Sequence, residues 1–195
     1  PRNIPVKLER FEPTLPAPVA MDMQAWWQHD WAKLPARRNE FDDDQRWPLD
    51  VQVAGPLAPL QAQLQARGWT VQAQAGWEEA LLMLDKNTGA DELPVLPATL
   101  ETRVEALLMV RQGAKPDERY VLRLWPAPGQ LQPGNVPLWL GSAQTLRYER
   151  HFEWIGMWHP VRGIDPAFNA VKDAVQGTPP PHALPSHPPL PALPL

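Results

Sequence analysis

Apolar residues along this chain recur at two different spacings, and the switch between them marks out the elements. From Met21 to Leu34 they fall at Met23, Trp26, Trp27, Trp31 and Leu34, three- and four-residue steps that predict a short amphipathic helix. His29 and Lys33 lie off its apolar stripe, and Pro35 discourages its continuation. Asp42, Asp43 and Asp44 make a polar turn before Leu49, Val51 and Val53 alternate with Asp50 and Gln52 as a strand does. Gly55 ends that strand, Pro56 suits the first turn of a helix, Leu57, Leu60 and Leu64 fall on one face, and Gly68 stops it. Trp69, Val71 and Ala73 read as a further strand, with its neighbour in the sheet left open, and Trp77 to Leu84 as a second helix on this side of the chain.

The densest strand signal follows. Glu92-Leu-Pro-Val-Leu-Pro97, Leu107-Leu-Met-Val-Arg111, Arg119-Tyr-Val-Leu-Arg-Leu-Trp-Pro126 and Pro137-Leu-Trp-Leu-Gly-Ser142 read as the strands of one small sheet. In the third, Tyr120, Leu122 and Leu124 share the core face, leaving Arg119, Val121, Arg123 and Trp125 on a wetter one. The stretch from Gln112 to Glu118 reads as a hairpin turn. From Pro137 the pattern runs through Gly141, a bulge or bend, to Trp154, with Leu146, Tyr148, Phe152 and Trp154 opposite Arg147, Glu149, His151 and Glu153. A last helix over Pro166 to Val175 presents Phe168, Val171 and Val175 and ends at Gly177. The expected fold is α+β, a single domain with a mostly antiparallel sheet and three or four helices packed on one side.

Composition sharpens the limits of that domain. Of 195 residues, 26 are proline, and they crowd the ends. Residues 1–20 read as an extended Pro-rich lead-in, 21–177 as the folded domain, and 178–195 as a disordered or polyproline-like tail. The first residue is Pro1, with no basic and apolar leader before it, so the expectation is a chain processed or cut from something longer. No apolar run reaches the length of a membrane-spanning helix. A net charge of −4 without a basic block argues against nucleic acid as a partner. The absence of cysteine excludes disulfides, thiolate metal sites and cysteine nucleophiles, and suits an oxidising envelope compartment.

Catalytic devices are sparse. Glu149, His151 and Glu153 put two carboxylates and an imidazole side by side on one strand face, the best candidate for acid/base chemistry, although a solvated sheet face is the favoured reading. His29 with Asp30, and the Asp42 to Asp44 run, read as turn or cap residues because the spaced donors and glycine of a calcium loop are missing. His159, His182 and His187 lie in Pro-flanked segments and do not suggest a shared metal site. The Gly-x-Ser-x-Gly elbow, the phosphate-cradling loop and His-Glu-x-x-His are all absent, so no metal and no cofactor is assigned. Of the ten tryptophans, Trp26, Trp31, Trp69, Trp77 and Trp154 read as core, while Trp125, Trp139 and Trp158 are candidates for exposure. Pro188-Pro-Leu-Pro191 matches a docking motif that arises readily in any Pro-rich tract.

The ordered string of Leu34-Pro-Ala-Arg-Arg38, Pro48-Leu-Asp-Val51, Ala54-Gly55, Gly68-Trp69, Leu93-Pro-Val-Leu-Pro97, Leu107-Leu-Met-Val-Arg111, Val121-Leu-Arg-Leu-Trp-Pro126 and Pro137-Leu-Trp-Leu-Gly-Ser142 resembles the LssY carboxy-terminal domain family. The likeness covers about residues 34 to 150 and rests on order and spacing. It implies a bacterial domain linked to type I secretion, often placed after membrane regions similar to DedA proteins and type-2 phosphatidic acid phosphatases. The phosphatase signature itself is missing here. Where the family resemblance leads one to expect a His-x-Gly-Arg-like stretch, this chain has Leu100-Glu-Thr-Arg103, matching only at Arg103.

The expectation is therefore a non-catalytic accessory or binding module of a bacterial inner-membrane or envelope protein, on the periplasmic side, associated with secretion or lipid-phosphate metabolism. Its expected ligand surface comprises Arg103, Arg123, Trp125 and Trp139. Expected partners are membrane regions of the same or another polypeptide, lipid headgroups or envelope proteins. The alternatives are a hydrolase using His151 with Glu149 or Glu153, and a purely structural secretion component.

Overall fold

A computed structural model describes residues 18–36, 48–73, 88–101, 103–151, 155–161 and 165–176. The turn at Asp42 to Asp44, the helix expected over Trp77 to Leu84, Phe152 to Trp154 (Glu153 among them), His182, His187 and the Pro-rich tail lie outside the described residues. The chain runs β1 (Val19–Asp22), α1 (Met23–Gln28), a 3-10 turn (Asp30–Lys33), β2 (Val51–Ala54), α2 (Leu57–Gln65), β3 (Thr70–Val71), β4 (Thr99–Leu100), β5 (Arg103–Val104), β6 (Leu107–Gln112), β7 (Glu118–Gln132), β8 (Val136–His151), β9 (Ile155–Pro160) and α3 (Pro166–Gln176).

Two long strands, β7 and β8, form the spine. The sheet order is β2, β8, β7, β6, β3, with β1 beside the far end of β7 and β9 beside the far end of β8. Every pair is antiparallel except β1 with β7, and β4 and β5 make a separate two-stranded hairpin. The fold class is the α+β one expected. β2 and β3, which flank α2 in the chain, lie at opposite ends of the sheet order.

The helix signals translate into a core on one face of the sheet. Leu60 and Leu64 of α2 and Val171 and Ala174 of α3 pack on Met109, Leu122, Leu124 and Ala143, with Trp69 closing the cluster. Each fully buried leucine there contributes about 1.5–3 kcal/mol. Gly68, at φ +83°, turns the chain after α2 in a conformation that favours glycine. Strand β3 is only two residues long: Trp69 is buried ahead of it, and Val71 is exposed on it.

The opposite face of β7 is not the wetter one expected. Val121, Arg123 and Trp125 are all buried. Val95, Leu108, Val121 and Leu146 form one cluster over this face, while Trp26 of α1, Leu49, Leu100, Trp125, Leu138 and Leu140 form another. An alternating strand therefore reads as half-exposed in sequence and is covered on both sides in the fold.

Five features differ from the sequence reading. Residues 92–97 are not a strand, because Pro94 and Pro97 lack the N–H groups of a ladder and the segment is held by side chains. Strand β7 continues past Pro126 and Pro128, since the register with β8 shifts between Pro126 and Gln130 and a bulge accommodates proline. Gly141 is in continuous register and not at a bulge; a Cβ there would collide with Leu124 Cδ2 and lie 2.7 Å from the Arg123 carbonyl oxygen. The single helix expected from Met21 is instead β1, a six-residue helix capped by Asp22, whose carboxylate accepts from Ala25 N at 2.8 Å, and a 3-10 turn. Strand β9 falls where the sequence pattern predicts no element.

Candidate functional site

Residues 88–98 cross the buried face of β7 as a strap, and the sheet's polar side chains satisfy its backbone. Arg119, Arg123 and Trp125 stand on one face of β7 and reach carbonyls progressively further along the strap. Arg119 donates from Nη1 to Leu93 O at 2.9 Å and from Nη2 to Ala90 O and Asp91 O at 2.8 Å each. Arg123 Nη2 donates to Leu96 O at 2.8 Å and Trp125 Nε1 to Ala98 O at 3.2 Å. Because partners advance in the same order on both segments, the strap runs in the direction of β7. Gln72 completes the clamp, donating to Val95 O at 2.7 Å and accepting from Val95 N at 3.1 Å. Trp158 Nε1 also donates to Leu93 O, at 3.0 Å, and its ring lies 4.7 Å from the Arg119 guanidinium.

Beneath the strap is a buried ion pair. Arg123 Nη1 lies 2.6 Å from Glu105 Oε1, and the Glu105 side chain is 0% exposed. The second carboxylate oxygen of Glu105 accepts from Ala98 N at 2.9 Å, so the pair is locked by hydrogen bonds to the strap.

These contacts change the expected ligand surface. Arg123 and Trp125 are committed to the strap, and Trp139 projects from the opposite face, packed on the α2 and α3 core with Nε1 donating to Gly55 O at 2.8 Å. Arg103 sits on β5 and pairs with Glu101 at 3.2 Å. The four residues therefore line no common pocket. Of the tryptophans expected to be exposed, Trp125 is buried and Trp139 and Trp158 are partly buried; the exposed one among the described residues is Trp27. A cleft of about 210 Å³ does open between the strap and β9, lined chiefly by Leu93, Leu96, Pro97, Leu146, Met157 and Trp158, with Arg123 at its edge.

On the other face, at the β8–β9 end of the sheet, the structure gathers a polar cluster. Arg147 pairs with His159, Glu149 with Met157 and His151 with Ile155 across β8 and β9, so Glu149, His151 and His159 share one side of the hairpin. His151 Nε2 lies 2.9 Å from His159 Nε2, with ring centroids 4.9 Å apart, and 4.0 Å from Glu149 Oε2. His159 joins this face because β9 folds back on β8; a shared site for it had not been expected from its Pro-flanked position. His29 is elsewhere, bonded to Asp30, which Lys33 also contacts and holds below its ordinary pKa.

A pair of carboxylates, Asp50 and Asp165, covers the edge of β8 between the reach of β2 and that of β9. Asp50 Oδ1 accepts from Ala143 N at 3.0 Å, and Asp165 accepts from Thr145 N at 2.8 Å and Thr145 Oγ1 at 2.6 Å. Desolvation by the surrounding packing pushes the Asp50 pKa up to about 7, against the Ala143 hydrogen bond, and the Asp165 carboxylate adds to the rise.

The chain belongs to the LssY C-terminus family, whose model matches residues 31–177. No curated protein and no solved structure matches it.

Proposed function

We propose, from membership of that family, that this domain is a non-catalytic binding module of a bacterial inner-membrane or envelope protein, on the periplasmic side, and that the cleft between strap and β9 meets the membrane region. One observation carries this reading: the strap's hydrogen bonds consume Arg119, Arg123 and Trp125, and what they leave at the surface is an apolar recess bordered by exposed Leu96. The recess is below the roughly 300–1,000 Å³ usual for a drug-sized ligand, which favours insertion of an apolar side chain or acyl segment over enclosure of a substrate. With a net charge of −4, the chain has no overall attraction to an anionic bilayer surface, which favours an apolar contact.

Flotation with phosphatidylethanolamine and phosphatidylglycerol vesicles tests the reading. The domain should rise with the vesicles, little affected by salt, and Leu96→Asp should leave it in the soluble fraction. A wild-type domain that stays soluble would contradict membrane contact.

The meeting of His151 with His159 and Glu149 favours a second reading, hydrolysis with His151 as general base. It requires turnover of an activated ester or phosphate ester that disappears in His151→Ala.

A further inference from the structure

We infer that Glu149, His151 and His159 form a binding site for a divalent transition metal of the zinc class. The site goes beyond the binding-module reading and stands whether or not the domain contacts a membrane. The donor atoms all lie within 4.8 Å of one another. Zinc held by imidazole nitrogen and carboxylate oxygen at about 2.0–2.1 Å in tetrahedral array places its donors roughly 3.3 Å apart. The observed separations of 2.9 Å between the imidazoles and 4.0 Å to the carboxylate bracket that spacing, so small side-chain rotations close the set without moving the strands.

The two strands supply the rigidity. Their register fixes the three residues on one side of an antiparallel ladder: His159 is diagonal to Glu149, and His151, one same-face position further along β8, reaches back to bring its ring against that of His159. Two of the three donors are imidazoles, which suit zinc, cobalt, nickel or copper; magnesium and calcium require mostly oxygen ligands. The short contact between the two Nε2 atoms needs one ring to donate and the other to accept. On metal binding, the donating ring moves its proton from Nε2 to Nδ1, and both Nε2 lone pairs face the ion. Arg147, the cation on the same face, is already matched by Glu118 at 2.8 Å and Asp117 at 3.9 Å, and its hydrogen bond holds the Glu118 pKa below the ordinary value. Three protein donors on an accessible face leave a coordination position for water.

Calorimetric titration of the full chain with Zn(II), paired with visible absorption of the Co(II) form, tests the site. Expected are one ion per chain, a Co(II) ligand-field spectrum of a four- or five-coordinate ion, and a rise in melting temperature with Zn(II). His151→Ala and His159→Ala should each weaken binding by more than the ten- to hundredfold typical of losing an outer-shell partner. Both variants should keep the metal-free melting temperature, while His29→Ala and the double variant His182→Ala/His187→Ala should bind like the wild type. No binding by the wild type, wild-type affinity in His151→Ala or His159→Ala, or loss in the tail variant would each overturn the assignment.

Discussion

At Asp50 a single carboxyl ties stability to pH. Its folded pKa of about 7 exceeds the unfolded value near 3.8, so between those values the folded state holds a proton that the unfolded chain has released. Stability from this group is therefore complete below about pH 4, falls as pH rises toward 7, and is level above it. Asn can accept the same Ala143 N–H without a charge, so Asp50→Asn should be the more stable protein at pH 8 and nearly equal to wild type at pH 4.5. Denaturant melts at the two values measure the difference, on the order of a few kcal/mol at most. Glu105 has the opposite character, a buried charge that its partners require. Glu105→Ala should cost about 3–5 kcal/mol, because it strips Arg123 of its carboxylate and Ala98 N of its acceptor. A loss below about 1 kcal/mol would mean that the ion pair does not hold the strap.

Residues differed in how plainly their roles could be read. Leu122, Leu124, Leu60, Leu64 and Val171 were legible as core because period alone decides which face they occupy. For Arg123 and Trp125 alternation predicts the face correctly and misses their burial, since it fixes direction and does not report what lies across from it. Among the described residues, the strap and α1 lie over that face. His151 was a candidate from its strand, but its nearest partner, His159, comes from β9, which has a weak strand pattern.

At the scale of elements, proline explains most of the differences. Pro94 and Pro97 turned a hydrophobic run into a strap held by side chains, whereas Pro126 and Pro128 were absorbed at a bulge within β7. The same apolar, proline-bearing composition thus gives two outcomes, and the difference lies in whether a neighbouring strand can skip a register. Gly141 lies where β8 runs between Val51 of β2 and Leu124 of β7, with no room for a Cβ. Gly141→Ala should destabilise the domain by about 1–3 kcal/mol through overpacking, with no effect on metal binding at the distant hairpin. Thermal unfolding with and without Zn(II) separates the two; an unchanged melting temperature would contradict the packing role.

For the molecule as a whole, the fold class and the family were readable from motif order, while the surface available for function was not. Among the described residues the central strands are covered on both faces, by α2 and α3 on one side and by the strap and α1 on the other, while the β8–β9 end keeps exposed polar residues. That geometry separates a recess beside Leu96 from a polar cluster at the end of the β8–β9 hairpin, on opposite sides of the sheet. Hydrogen–deuterium exchange along the chain, with and without phosphatidylethanolamine and phosphatidylglycerol vesicles, tests the central proposal most directly. Vesicles should slow exchange at residues 93–98 and 155–160 and leave β6 and β7 unchanged. Unaltered exchange at the strap, or slowing centred on residues 147–151, would contradict it.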